Sequence, residues 1–291
     1  MMGVEQAVSR VNRAVILTWV VHVALGLLVL GAMIVGPAAG VSQVLVAAIP
    51  LTIWVLLAFN GMRETRNAMH WPSLIASGQL DEAERQIEIA IRGFSMLRSV
   101  KLMSLHHLAV LRMAQRRWQD ASDLSAALLS YRLPREKSLT RASLMVLANA
   151  AVQIGNLSAA YGAIGRLRGD ALLLDERLGL LNIESLYLVK IGAWRSLLSG
   201  IDVKARMAEL MPCEMAAQTQ ACLALGARRA GRGDWESYLK ERVGLLCEAA
   251  KLYAEEPLLR ELWSEPASGT RVEAASVEVA SVETAEKDQQ I

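Results

Sequence analysis

Residues 155–160 read GNLSAA, and variants of this short stretch recur along most of the chain. Its counterparts are GQLDEA at 78–83, QRRWQDA at 115–121, GAW at 192–194 and GDW at 233–235. The large residues within these stretches are Leu80, Trp118, Leu157, Trp194 and Trp235, which lie 38, 39, 37 and 41 positions apart. A near-constant period of this size is typical of proteins that stack one supersecondary unit many times.

Each unit is predicted to be a helical hairpin. Residues 69–263 show hardly any two-residue alternation, and their apolar side chains recur every three or four positions among helix-favouring Ala, Leu, Met, Glu and Arg. The glycine of each stretch, or its polar equivalent, ends one helix in a left-handed conformation, and the next polar residue begins another. Stacked hairpins of this kind bury their faces against neighbours and leave a concave surface.

The residues around these corners resemble the tetratricopeptide repeat. The matching positions are Ala83, Ile87 and Ala90 after Leu80, Ala160 and Ile164 after Leu157, Leu105, Leu108 and Ala109, Leu144, Leu147 and Ala148, and Leu225 with Gly226. The resemblance spans about residues 72–254, with a period longer than the family's usual 34 or so. It implies a right-handed α-solenoid of about five degenerate hairpins at 72–264, in which residues 201–212 exceed the repeat and can hold a short extra helix.

The resemblance also implies a partner-binding groove along the leading helix of each hairpin. The groove positions are Met103, His106, Val110, Met145, Asn149, Gln153, Asn182 and Gln220. The family often uses an Asn at the position of Asn149 to hold a ligand peptide, although the Lys and Arg cluster of a carboxylate clamp is missing here. A mixed groove of Met, His and amide side chains fits a partner helix or an extended peptide. Met103 and Met145 fit a second interpretation equally well, as fillers of gaps between repeats.

Two apolar runs precede the repeats. Residues 14–35 and 41–59 contain no charged side chain and are divided by GPAAG at 36–40. Each is close to the roughly 20 residues that cross a hydrocarbon core as a helix. Residues 14–60 are therefore predicted to form a transmembrane hairpin. A cleaved signal peptide is the competing interpretation, but the first run is long for one, it has no clear cleavage site before Gly36, and a second run follows it directly.

Arginines flank the predicted membrane hairpin. Arg10 and Arg13 precede it, Arg63 and Arg66 follow it, and the connecting turn carries no charge. By the positive-inside rule, both termini are predicted to be cytoplasmic, in a two-pass protein of a bacterial inner membrane. Residues 1–13 then form a cytoplasmic segment, and residues 61–71 form a connector. The four arginines and Trp71 are the predicted interface anchors.

The rest of the composition limits the classes of function. Net charge is +2 with dispersed basic residues, so no nucleic-acid partner is expected. The three cysteines, Cys213, Cys222 and Cys247, lack metal-site spacing and are predicted to be reduced. Residues 265–291 are rich in Ser, Ala, Val and Glu and are predicted to be a disordered, weakly acidic tail.

No familiar catalytic motif occurs in the chain. The sequence has no GxxxxGK[ST], GxSxG or HExxH pattern. His106 and His107 are adjacent, so they point about 100° apart on a helix and cannot share a metal. We therefore predict a non-catalytic adaptor without cofactor or metal, held at the bilayer and binding a protein partner as an accessory subunit of a membrane assembly. The alternative is a small transport or sensing subunit in which the membrane hairpin, with His22 and Gln43, is the active element and the repeats only assemble it.

Overall fold

The computed structural model describes residues 2–35, 48, 52–56, 59, 66, 70–93, 95, 97–131 and 137–264. Every regular element in these ranges is helical, which confirms the all-α class. The predicted tail, Arg63 and Gln43 lie outside the described residues. So does the second predicted span at 41–59, except for residues 48, 52–56 and 59, which are helical.

The helices follow one another with short connections. They are α1 (Val4–Val35), α2 (Trp71–Ala76), α3 (Leu80–Arg92), α4 (Arg98–Ala114), α5 (Trp118–Ser130), α6 (Lys137–Ile154), α7 (Leu157–Arg168), α8 (Leu174–Lys190), α9 (Trp194–Leu198), α10 (Ile201–Ala208), α11 (Cys213–Arg229), α12 (Gly233–Leu246) and α13 (Ala249–Glu255), with a 3₁₀ helix at Pro257–Trp263. The extra helix expected within 201–212 is α10. The leading helices α4, α6, α8 and α11 pack successively against one another, and each also packs against the helix that follows it in its own hairpin.

The corner between the two helices of each hairpin has a left-handed residue, and at the first four corners it is the predicted one. These residues are Gly78 (φ 77°), Arg116 (φ 59°), Gly155 (φ 79°), Gly192 (φ 69°) and Gly231 (φ 69°). Arg116 is the polar equivalent that the QRRWQDA stretch substitutes for glycine. The positive φ lets the chain reverse within two residues, so that the next helix begins two positions later.

The fifth corner corrects the sequence alignment. Gly231 is its left-handed residue and α12 begins at Gly233, so Gly233, and not Trp235, corresponds to Leu80. The left-handed residues are then 38, 39, 37 and 39 positions apart. An alignment on the large side chains places this corner two residues too late. The position of each corner is determined by its left-handed residue and not by the large side chain that follows.

The first helix belongs partly to the repeats. Met2, Ala7 and Val11 are buried in one core with residues of α3, α4 and α5, and the Thr18 hydroxyl donates to the Ser95 carbonyl oxygen at 3.0 Å. Residues 4–13, assigned from the sequence to a separate N-terminal segment, are continuous in α1 with the first apolar run. From Ile16 onward the exposed faces of the helix carry apolar side chains, including Trp19, Leu27 and Leu30.

Among the described residues, α1 is the one helix long and apolar enough to cross a membrane. The criterion is met by length and composition over Val4–Gly31. The charge-free part of the helix begins at Ala14, immediately after Arg13.

Candidate functional site

The predicted groove residues all lie on leading helices, and most of them are only partly accessible. Met103, His106 and Val110 on α4 are half-buried, as are Met145, Asn149 and Gln153 on α6. Asn182 on α8 and Gln220 on α11 are buried. We call the surface formed by these positions the leading-helix face.

Polar side chains on this face join one hairpin to the next. His106 Nδ1 lies 3.2 Å from the Ser143 hydroxyl, and the Asn149 amide donates to Met113 Sδ at 3.5 Å. The partners are 37 and 36 positions apart, which is one repeat. The structure therefore brings Asn149 and His106 into contacts between successive hairpins.

Asn182 makes the same kind of connection further along. Its amide nitrogen donates to Gln218 Oε1 at 2.9 Å, and its carbonyl oxygen accepts from the Thr219 hydroxyl at 2.9 Å. Both ends of the side-chain amide are thus used between α8 and α11. Its role in the structure is to hold these two leading helices in register. The neighbouring Gln220 is 1% exposed, and its Oε1 accepts no hydrogen bond within the described part of the chain.

Met145 packs closely against the next leading helix. A Cβ added at Gly179 would lie 2.7 Å from Met145 Cε, so an alanine there would require the end of the Met145 side chain to move. The contact favours the interpretation of Met145 as a filler between repeats. Met103 and Val110 are also packed at the edge of the core that contains α1.

The two adjacent histidines have separate environments. His107 packs edge-on against Trp71, with ring centroids 5.4 Å apart, and its Nδ1 donates to the Met103 carbonyl oxygen at 2.9 Å. Burial lowers the pKa of His107, and burial together with the nearby His107 lowers the pKa of His106 to about 4. Both rings are therefore neutral at neutral pH. The described residues contain no group of three or more His, Cys, Asp or Glu able to hold a metal ion.

The predicted interface anchors have different positions. Arg10, Arg13 and Arg66 are exposed, whereas Arg63 lies outside the described residues. Trp71 is not at an interface, because it is 2% exposed and its indole is packed in the core against His107. His22, within the apolar part of α1, hydrogen-bonds through Nδ1 to the Thr18 carbonyl of its own helix at 2.7 Å.

A buried ion network, which the sequence did not indicate, ties the N-terminus to the repeats. Arg112 donates to Glu84 at 2.9 Å and to the Met2 carbonyl oxygen at 3.1 Å, and Gln115 donates to the other Glu84 oxygen at 3.0 Å. Burial acts to raise the pKa of Glu84, but the hydrogen bonds from Arg112 and Gln115 and the arginine charge outweigh it and lower that pKa. The carboxylate is thus kept ionised between α3 and α4.

The C-terminal part of the described chain folds back over the last hairpins. Leu252, Leu259 and Leu262 are buried in the same core as α11, and Glu256 pairs with Lys190 of α8 at 3.0 Å. Arg228 donates to the carbonyl oxygens of Glu261 and Ser264. We call residues 249–264 the C-terminal strap. It covers part of α11, and its apolar residues beyond 246 were the signal in the sequence that could have revealed it.

Comparisons with known proteins give no relative for this chain. No family model, no curated protein and no solved structure matches it.

Proposed function

We propose that this protein is a membrane-anchored, non-catalytic adaptor. In this proposal its tetratricopeptide-like repeats bind a protein partner on the cytoplasmic side of an inner membrane, as an accessory subunit of a larger assembly. The observation that carries the proposal is the continuity of α1. One end of this helix is buried in the repeats, and the other end is long, apolar and exposed.

The dimensions of α1 support close attachment of the repeats to a bilayer. Residues 14–35 contain no charge and extend about 33 Å at 1.5 Å per residue, close to the roughly 30 Å of a hydrocarbon core. The bond from Thr18 to Ser95 lies within the first turns of this run. The repeats would therefore be held against the membrane surface without a flexible linker.

The leading-helix face of α4 and α6 is the proposed partner surface. Its half-buried Met103, Val110 and Gln153 combine apolar and amide groups, which suits a partner helix or an extended peptide. The equivalent face of α11 is less accessible, because its residues from Ala216 to Ala227 are nearly all buried. The partner is accordingly expected at the N-terminal half of the repeats.

The cysteines of the chain offer a direct test of membrane attachment and topology. Cys213 is exposed and Cys222 is buried, so a Cys247→Ser variant has one reactive thiol and one internal control. We expect the protein to stay in the membrane pellet after alkaline carbonate extraction. A membrane-impermeant maleimide should label Cys213 in inverted vesicles and not in spheroplasts. Release by carbonate, or labelling in spheroplasts, would contradict the anchor or its orientation.

A photocrosslinking amino acid tests the partner surface. We would place it at Gln153 on the leading-helix face and, as a matched control, at Gln119, which is exposed on the second helix of its hairpin. A protein crosslinked through position 153 and absent at position 119 supports the adaptor proposal. Equal crosslinking at both positions, or none at 153 in cells that contain the native assembly, would move the interaction away from this face.

A further inference from the structure

We propose that the place where α1 leaves the repeats is a binding site for the phosphate headgroup of an anionic phospholipid. The proposal rests on the membrane anchoring proposed above. A cavity of about 320 Å³ lies there, and it is lined by Arg10, Arg13, Ala14 and Leu17 of α1 and by Ile91, Arg92 and Gly93 at the end of α3.

Three guanidinium groups supply the polar side of this cavity. Arg10 and Arg13 are three residues apart and therefore share a face of α1. Within the described chain, neither is paired with a carboxylate, whereas Arg92 is half-exposed and pairs with Glu88 at 3.0 Å. The residues that line the cavity thus carry three positive charges and no carboxylate, so the cavity has an excess of positive charge. The planar fork of arginine matches phosphate oxygens in a bidentate geometry.

A buried lysine compensates the negative end of the α3 helix dipole, which would otherwise repel an anion from this cavity. The carboxyl end of α3 lies at this cavity and carries the negative end of the helix dipole. Lys101 is completely buried and its ammonium group donates to the carbonyl oxygens of Ala90 and Gly93. Its charge therefore compensates the helix end directly behind the cavity wall.

The apolar side of the cavity distinguishes a lipid from a free phosphate ion. Ala14, Leu17 and Ile91 line it, and Leu17 is 48% exposed on the helix that continues into the proposed membrane span. Trp19, two residues further along α1, is 71% exposed, as is usual for aromatic residues at a membrane interface. A phospholipid can place its phosphate among the arginines and its acyl chains along Leu17. Inorganic phosphate would contact only the arginines.

The test is lipid binding by the full chain in detergent, followed by native mass spectrometry. The probes are phosphatidylglycerol, phosphatidylcholine and inorganic phosphate. We compare the wild type with Arg10→Gln/Arg13→Gln and with the triple variant that adds Arg92→Gln. The control triple variant is Arg85→Gln/Arg195→Gln/Arg206→Gln, which removes the same charge elsewhere.

We expect the wild type to bind phosphatidylglycerol at least about tenfold more tightly than phosphatidylcholine, and the Arg10/Arg13/Arg92 variant to lose about tenfold or more of that affinity. The control triple variant should bind as the wild type does. The Arg10/Arg13 double variant, which leaves the α3 ion pair intact, should lose part of the preference with an unchanged melting temperature.

Two results would overturn the lipid site. One is equal binding of phosphatidylglycerol by the wild type and the double variant. The other is inorganic phosphate competing at the same concentration as the lipid, which would show a plain anion site. Failure of the anchor itself is separate, because it would appear as release of the wild type by carbonate before any lipid is compared.

Discussion

The two halves of the repeat region are built on different cores. The N-terminal core, formed by α1 with α3 to α6, encloses the charged side chains of Lys101, Arg112 and Glu84. The C-terminal core, formed by α6 to the 3₁₀ helix, consists mainly of Leu and Ala, with Glu256 as its buried charged residue among those described. Apolar packing suffices to stack hairpins, whereas the half that receives α1 adds directional polar contacts.

These polar contacts act where separate elements meet. Arg112 bonds to the backbone of Met2, Thr18 bonds to the backbone of Ser95, and the Tyr131 hydroxyl donates to Asn12 Oδ1 at 2.6 Å. They therefore lie at both ends and the middle of the docked part of α1. Arg112 and Thr18 are buried, and buried polar groups are costly to leave unpaired, so their contacts favour one docking position over others on an apolar surface.

The largest effect is expected from breaking the buried ion pair of the N-terminal half. Arg112→Met leaves the Glu84 carboxylate buried with one amide donor. It should lower the free energy of unfolding by about 3–5 kcal/mol. Denaturant unfolding of the full chain in detergent measures the loss, and Arg85→Met, which removes an exposed partner of Glu82, should have a much smaller effect because solvent screens that pair. Equal effects of the two substitutions would mean that the buried network does not fix α1.

A pH-dependent loss of stability is also expected in the N-terminal half. The pKa of His106 falls from 6.5 in the unfolded chain to about 4 in the folded protein, so the folded state favours the neutral ring. The stabilisation is complete above pH 6.5 and is lost as the pH falls towards 4, by about 3 kcal/mol. Unfolding at pH 7.5, 5.5 and 4 should show a steeper decline for the wild type than for His106→Gln. His70→Gln, at an exposed histidine, is the control and should follow the wild type.

A smaller and more local loss of stability is expected in the C-terminal half. Glu256→Gln removes the buried charge opposite Lys190 and should cost about 2 kcal/mol, because the lysine ammonium loses its partner. Hydrogen exchange should rise in the C-terminal strap and stay unchanged in α3 to α5. Glu214→Gln, in an exposed pair with Lys251, provides the control. Faster exchange in α3 to α5 would show that the two cores are not independent.

The repeat pattern was predictable because it depends on local backbone chemistry. Glycine, or Arg116 in the polar variant, marks each corner, and the helical periodicity between corners gives the all-α class. The docking of α1 was also present in the sequence, as apolar residues at Val4, Val8, Val11 and Val15 on one helix face. The adjoining apolar run obscured it, because both features share a single helix.

The roles of individual polar residues on the leading-helix face were not predictable in the same way. A period near 38 brings His106 opposite Ser143 and Asn182 opposite Thr219, but the sequence does not show whether such amides face a neighbouring helix or a ligand. The positions of Lys101 and Arg112 depended on tertiary packing, since both long side chains occur on a helix where solvent exposure is the usual outcome.

The smallest changes in the free energy of unfolding are expected from substitutions at the corners. Arg116 holds φ at 59° in the N-terminal half, and Gly155 holds φ at 79° at the next corner. A left-handed conformation costs a residue with a side chain about 1 kcal/mol, whereas glycine adopts it freely. Arg116→Gly should therefore raise the free energy of unfolding by about 0.5 kcal/mol, after loss of its surface contacts, and Gly155→Ala should lower it by about 1 kcal/mol.

Sterics cannot explain the second change, because a Cβ added at Gly155 meets no atom within 4 Å. Opposite signs for Arg116→Gly and Gly155→Ala, measured by thermal unfolding, would therefore show that backbone conformation at the corner is the common requirement of all five hairpins. A loss of stability in both variants would instead mean that Arg116 contributes side-chain contacts that outweigh its backbone strain. The second corner would then belong with the polar contacts of the N-terminal half.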